Sequence, residues 1–436
     1  MIGKKKILIF AILLICLSAV GFASAADNTA DAVGAEDTSA NAISTDENEN
    51  VILEDEYDEK LSKRDYDPNA APLSEFRSYI VNNQNSVINL TRDYEFKAED
   101  GDSFEVIELN RDVTIDGQGH YVNGHHSSSP MLRVAEGKNV VVKNLTIKTF
   151  NGPTVTGGTY INCKFILCAS DNNAAVYKGT AINCLFEECL SYGNNAGGAA
   201  MREGRAINCT FNGNTATYGG AISRSYAENC TFYNNKASHG GDTDLVAKGG
   251  AAYESTCYNC YFKDNWVTNQ GGAGYKGTYV NCTFEGNHIK GLGDGLTLYE
   301  GEAIFCTFDN KDKNYRTSVY EKMIINADDF TCKYNSSSAF PFKLTAGSIE
   351  FKDVNMTFHV EKAEDGVWHD LYEFNILSGQ KWIVNLTPGN YRVKINCIDY
   401  PADEVTVIIT VTKMGTSITL DNNNISMFCK GDNELI

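Results

Sequence analysis

Between residues 161 and 334 one five-residue phrase recurs. It reads Ile161-Asn-Cys163-Lys-Phe165, Ile182-Asn-Cys184-Leu-Phe186, Ile207-Asn-Cys209-Thr-Phe211, Glu228-Asn-Cys230-Thr-Phe232, Tyr258-Asn-Cys260-Tyr-Phe262, Val280-Asn-Cys282-Thr-Phe284 and Ile304-Phe-Cys306-Thr-Phe308, with a degenerate copy at Thr331-Cys332-Lys-Tyr334. Successive cysteines are 21, 25, 21, 30, 22, 24 and 26 residues apart. A fixed phrase at such a period is the mark of a repeat architecture, in which each copy buries its apolar face only against its neighbours.

Within the phrase, residues two apart share a face of an extended chain. Ile, Cys and Phe are therefore expected to point inward, with Asn and Thr outward. Four copies carry Asn three residues after Phe (Asn214, Asn235, Asn265, Asn287), where a left-handed corner is expected. Between copies lie Gly197-Gly198-Ala199, Gly219-Gly220-Ala221, Gly249-Gly250-Ala251 and Gly271-Gly272-Ala273, which suit a second tight turn beside a narrow interior. Short strands, turns and no helical periodicity at this period describe one coil of a parallel β-solenoid. Leucine-rich repeats would show a leucine consensus, and propeller blades need about 40 residues. Stacking coils at about 4.8 Å puts equal positions in ladders: Cys163, Cys184, Cys209, Cys230, Cys260, Cys282, Cys306 and Cys332 in one, and Phe165, Phe186, Phe211, Phe232, Phe262, Phe284 and Phe308 in another. Glu228 sits where other copies have Ile or Val, so that slot is expected to lie at a strand edge open to water. Upstream, Asn144-Leu-Thr-Ile147 resembles the phrase, Val113–Gly124 reads as two strands about a glycine turn, and Phe76–Phe96 could cap the open end.

The Val113–Gly124 phrase, the Asn-Cys-Thr-Phe-x-x-Asn repeats and Gly-Gly-Ala-Ile at 219–222 resemble the right-handed β-helix region of adhesin-like surface proteins of methanogenic archaea. They are also similar to repeats of chlamydial polymorphic outer-membrane proteins. The resemblance implies an all-β chain: a right-handed parallel β-helix over 72–340, then a small Ig-like β-sandwich over 341–413, with 414–436 opening a second such module or forming a tail. The residues of 341–413 independently read as strands at Thr357–Val360, Trp382–Leu386, Tyr391–Ile395 and Val405–Val411, with a turn at Thr387–Asn390.

The ends read differently. Lys4, Lys5 and Lys6, an apolar run from Ile7 to Phe22 and Ala23-Ser24-Ala25 make residues 1–25 a secretory signal peptide, with a retained membrane anchor as the competing reading. No other stretch is long and apolar enough to span a bilayer, so no transmembrane span is expected after cleavage. From Asp27 to Asp67 fourteen acidic residues face Lys60, Lys63 and Arg64, so 26–71 is expected to be a solvated linker. That segment holds −11 of the chain's −19. An acidic chain excludes nucleic acid as a partner, because phosphate neutralisation needs a basic surface.

The chemistry-bearing residues are few. Stacked cysteines meet the Cα spacing of a disulfide, but parallel side chains oppose its torsion, so the ladder is expected to be reduced. Cys168 and Cys189, each five after a ladder cysteine, are the candidate disulfide. Cys257-Tyr-Asn-Cys260 has no second Cys-x-x-Cys at zinc spacing, so no metal and no cofactor is expected. Asp112, Asp116, His120 and Arg202 are candidates for a polysaccharide lyase or glycosidase, gathered only by adjacency along the chain, and His125-His126 is expected to be exposed. Asn335, Asn355 and Asn424 are candidate glycosylation sites. The expectation is a secreted, non-catalytic, adhesin-like protein whose partners are cell-surface glycans or surface proteins of other cells. Tyr177, Tyr192, Tyr218, Tyr233, Tyr253 and Tyr275 would contribute to the contact. A carbohydrate-active enzyme and a structural cell-wall component are the alternatives.

Overall fold

The structure, a computed structural model, describes residues 66–414 apart from positions 102, 128, 194, 239–245, 292 and 310–313, together with a hairpin of Thr419–Asp421 and Asn424–Ser426. The expected signal peptide, most of the linker and much of 414–436 lie outside the described residues. No described helix is long and apolar enough to cross a membrane.

The chain coils as a right-handed parallel β-solenoid with three walls. Sheet A has eleven parallel strands, from Ala71–Pro72 through Tyr94–Glu95, Tyr121–Asn123, Thr146–Lys148 and Lys164–Ile166 to Thr307–Phe308. Sheet B has eighteen strands and supplies two short strands to most coils. Sheet C has six, from Ala169–Asp171 to His288–Ile289. Helix α1 (Leu73–Asn82) closes the first coil by burying Leu73, Phe76 and Ile80, which removes the exposed edge an open solenoid would present.

The repeated phrase is two strands rather than one. Asn144, Asn162, Asn183, Asn208, Asn229, Asn259 and Asn281 all adopt φ of 52–54°, a left-handed corner between sheets B and A that Asn tolerates better than most residues. The corner breaks the alternation. The inward residues are therefore Tyr160, Cys163 and Phe165, all buried, while Ile161 faces outward and is half-buried. The expectation that Ile shares the face of Cys and Phe is corrected accordingly. Glu228 follows the same rule: its slot is open to water, where it meets Arg205 at 3.1 Å and Tyr226 at 3.2 Å, because the column from Ile161 to Tyr258 faces outward, whereas Val280 and Ile304 further along it are buried in the C-terminal core.

A second correction concerns Asn214, Asn235, Asn265 and Asn287. The left-handed residues at the corner from sheet A to sheet C are the ones before them, Gly213, Asn234, Asp264 and Gly286, with φ of 52–66°. The four asparagines turn inward and are at most 2% exposed. Each residue after a corner has an N–H that the ladder cannot take, and the side chain of its equivalent one coil on accepts it. Asn214, Asn235 and Asn265 donate their N–H to Oδ1 of Asn235, Asn265 and Asn287 at 2.9–3.1 Å. Cys163, Cys184, Cys209 and Cys230 donate theirs to Sγ of Cys184, Cys209, Cys230 and Cys260 at 3.4 Å. At the third corner the Gly204 and Ser225 N–H groups go to Oγ of Ser225 and Ser255 at 3.2 Å. Cysteine thus occupies its column as a small buried side chain that can also accept.

Cys168 and Cys189 occupy the Asn column in earlier coils, and Cys189 donates its N–H to Asn214 Oδ1 at 3.0 Å. Both are free thiols, so the expected disulfide is not formed. Their Sγ atoms point the same way, each toward a backbone carbonyl (Ile147 for Cys168, Phe165 for Cys189). Burial pushes the Cys189 thiol well above its ordinary pKa.

The solenoid ends earlier than residue 340. Its last strands are Leu298–Ile304, Thr307–Phe308 and Tyr315–Tyr320. Cys332, expected in the ladder, lies in Phe330–Lys333, which pairs in parallel with Val405–Thr412 and packs into a separate core with Phe358, Trp382 and Val393. No left-handed residue precedes Cys332, as Phe305 at φ 55° precedes Cys306, so nothing turns that segment back onto a coil. The C-terminal part has a five-stranded sheet ordered Phe330–Lys333, Val405–Thr412, Gly389–Cys397, Asn355–Glu364, Val367–Leu377, with smaller sheets beside it, an arrangement compatible with a sandwich. Buried Tyr391 donates its hydroxyl to Thr387 O at 2.8 Å, closing the Thr387–Asn390 turn.

Candidate functional site

The sequence candidates do not converge. Asp112 accepts the Asn139 N–H at 2.9 Å in an exposed turn. Asp116 is consumed by Lys143 at 3.0 Å, Asn144 at 3.1 Å and the Gln118 N–H at 3.0 Å. Burial alone would raise its pKa, but those partners hold it below the ordinary range. Arg202 lies on sheet B, several coils on, bonded to Asn172 O at 2.8 Å. His120 pairs with Asp93 at 3.1 Å.

The outer face of sheet B satisfies itself. Its corner column alternates in sign, Lys178, Glu203, Arg224, Glu254, Lys276, Glu300, Arg316, with pairs at 3.1–3.6 Å. Beside it Tyr253, Tyr275 and Tyr299 stack in register with centroids 5.4 and 5.5 Å apart. Their ring faces are spent on one another, and Tyr275 is 5% exposed, so this column offers a saccharide little. Of the expected tyrosines only Tyr192 and Tyr233 present large exposed surfaces. Asn335 is exposed, Asn355 is exposed but bonded to Asp399 at 2.9 Å, and the side chain of Asn424 lies outside the described residues.

The unbalanced place is the outer face of sheet A in its first coils. Register aligns Glu95, Asn123 and Lys148 in one outward row, with Tyr121 two residues from Asn123. His125 was expected in an exposed loop, but it is buried, because the turn after Asn123 folds it back over this row. Its Nε2 lies 3.1 Å from Glu95 Oε2 and 3.0 Å from Asn123 Nδ2. The imidazole nitrogen thus stands between a carboxylate acceptor and an amide donor. His125 and His126 both adopt left-handed backbone, φ 41° and 66°. Two consecutive non-glycine residues there cost about 1–3 kcal/mol each, strain of the kind stored at functional sites.

Glu95 is 1% exposed. Its other oxygen, Oε1, is buried without a hydrogen-bond partner, with Lys97 Nζ at 3.8 Å. A buried carboxylate oxygen left so is costly unless something else pairs with it. Lys148 Nζ lies 3.8 Å from the centre of the Tyr121 ring. Burial, the Glu95 charge and the bond to Asp67 hold the Tyr121 phenol well above its ordinary pKa, so it keeps its proton at neutral pH. Proton acceptor, proton donor and two cations are therefore gathered on one wall.

Sequence reasoning missed Glu95, Lys97, Tyr121, Asn123 and Lys148 because the first coils lack the Asn-Cys-x-Phe phrase. Aligning Tyr94, Val122 and Ile147 with the Phe column would have placed Glu95, Asn123 and Lys148 in one row. Among the described residues His359, Glu361 and Asp370 also cluster, but Glu361 is bound by Arg392 and Lys394, which leaves no ligand set for a cation.

Residues 154–312 match the family model described as right handed beta helix region. No curated protein matches the chain. Among solved structures the chain is similar to an alginate lyase, AlyF-OU02 with G6, at 11% identity and TM-score 0.35, covering 59% of this chain and 63% of that one. A PL6 family alginate lyase, AlyGC, has 12% identity and TM-score 0.26 over 61% and 43%. The catalytic unit of a GH87 alpha-1,3-glucanase from Streptomyces thermodiastaticus has 11% and 0.18 over 59% and 67%. The chain thus spans less than two thirds of either alginate lyase. With polysaccharide-cleaving enzymes as its neighbours, the expectation of a protein without catalysis is corrected. At these identities the likenesses describe the fold alone and assign no reaction.

Proposed function

We propose that this chain is a carbohydrate-active enzyme that cleaves an acidic polysaccharide on the sheet A wall of its first coils. The observation that carries the reading is the buried Glu95 carboxylate 3.1 Å from His125 Nε2. The set suits β-elimination better than hydrolysis, since a phenol and two lysines stand where a hydrolase would need a second free carboxylate. Neutral His125 takes the proton on the carbon α to a uronate carboxylate, and Glu95 balances the imidazolium. The ring carbon–oxygen bond to the leaving sugar breaks as the double bond forms, and Tyr121 gives its proton to the departing oxygen. Lys97 and Lys148 offset the charge that builds on the uronate.

The test is product release from a panel of uronate-containing and neutral polysaccharides, read as unsaturated ends and as reducing ends. His125→Ala and Tyr121→Phe are expected to lower kcat by about 100-fold or more with KM little changed. Turnover untouched by His125→Ala overturns the site. Binding without turnover would return the chain to the glycan-contact reading, the part of the adhesin expectation that needs no chemistry.

A further inference from the structure

The described chain begins by covering this wall. Tyr66 lays its ring against His125, centroids 4.7 Å apart. Asp67 Oδ2 accepts the Tyr121 hydroxyl at 3.2 Å. Lys97 Nζ donates to Asp67 O at 3.1 Å and to Ala70 O. Only then does Ala71–Pro72 enter sheet A beside Tyr94–Glu95. Residues 66–71 were expected to belong to a solvated linker, and this end of it is bound to the solenoid instead. The cover engages three groups that the proposed reaction uses: the imidazole, the phenol and a lysine.

The cover is also chemically matched to what it hides. A carboxylate on the phenol and a ring over the imidazole reproduce the two contacts that a uronate would make there. Tyr66 itself is 45% exposed, so its ring is held by this contact and not by the core. The segment is bonded through one carboxylate and two carbonyls, each of which a competing anion can displace. We infer that Tyr66–Ala70 is an autoinhibitory strap occupying the saccharide site, so that the chain is latent until an anionic ligand or removal of the leader lifts it. The inference rests on the reading of the site given above.

The experiment compares the full chain with the double variant Tyr66→Ala/Asp67→Asn. One readout is the rate of His125 modification by diethylpyrocarbonate, located by peptide mass spectrometry. The other is turnover of a polyuronate, with a neutral glucan as control. A lifted strap is expected to raise His125 modification by about tenfold or more and to raise polyuronate turnover with it, while the buried cysteines stay unreactive, which reports an intact solenoid. Unchanged His125 modification overturns the strap, whatever the turnover. Faster modification without turnover of any polysaccharide leaves the strap standing and overturns the catalytic reading. If the cysteines become reactive, Tyr66→Ala alone, which keeps the Asp67 bonds, is read by the same criteria.

Discussion

Asn235 shows how much depends on one side chain. Its Oδ1 takes the N–H and the amide of Asn214, and its Nδ2 serves both Asn265 Oδ1 and Phe211 O. Asn235→Leu would strand these groups in a dry interior, at about 1–3 kcal/mol for each one left unmet. A denaturant titration is expected to show a clear fall in midpoint, larger than for Asn212→Leu, where a half-buried side chain gives up one outer-face bond to Glu187. Equal effects would mean that the buried amide column is not structural. Glu361 gives a pH-dependent case in the C-terminal sheet. The Arg392 guanidinium, with Lys394 nearby, holds its carboxyl at about 2, below the ordinary glutamate value of about 4.3. Stability from that pairing is therefore present above about pH 4 and is lost as pH falls toward 2. Glu361→Gln is expected to lower the C-terminal transition at pH 7 by the equivalent of about 2 kcal/mol, a difference that shrinks to nothing near pH 2. A difference independent of pH would exclude the charge as its source.

At the scale of the element, the phenylalanine column is a continuous stack. Phe165, Phe186, Phe211, Phe232, Phe262, Phe284 and Phe308 follow one another at 4.5–5.0 Å, their rings nearly parallel from coil to coil. Phe232→Ala would open a cavity between two neighbours that the backbone holds apart, so relaxation is limited and a cost of about 3–5 kcal/mol is expected from equilibrium unfolding. A cost under about 1 kcal/mol would mean that the coils close over the gap. The cysteine column makes a complementary prediction. A thiol reagent should meet native protein slowly and only at half-buried Cys306 and Cys397 among the described cysteines, with the rest reacting on unfolding. These columns were legible because the period fixes their register. The inward partner of each strand was not, because a left-handed Asn inside the phrase shifts the alternation by one, and φ is not written in a repeat unless the corner is suspected. The third corner, with its changing charged residues, was invisible for the same reason.

For the whole molecule, repetition and function sit at opposite ends of legibility. The solenoid could be read from seven copies of one phrase, yet the candidate site lies in the coils before the phrase begins. Glu95, the Tyr121–His125 stretch and Lys148 come from three segments that only the coil register brings together, and the acidic leader, discounted as a tail, ends on top of them. The boundary to the C-terminal sheets was misplaced because Cys332 imitates the repeat without its corner. In the proposed function, saccharide binds over Glu95 and His125. Hydrogen exchange read by mass spectrometry on the His125→Ala chain, with and without a saturating polyuronate, tests it most directly. Added protection is expected in peptides spanning residues 93–97, 121–126 and 146–149. Protection confined to the tyrosine column of sheet B or to the C-terminal sheets would contradict it.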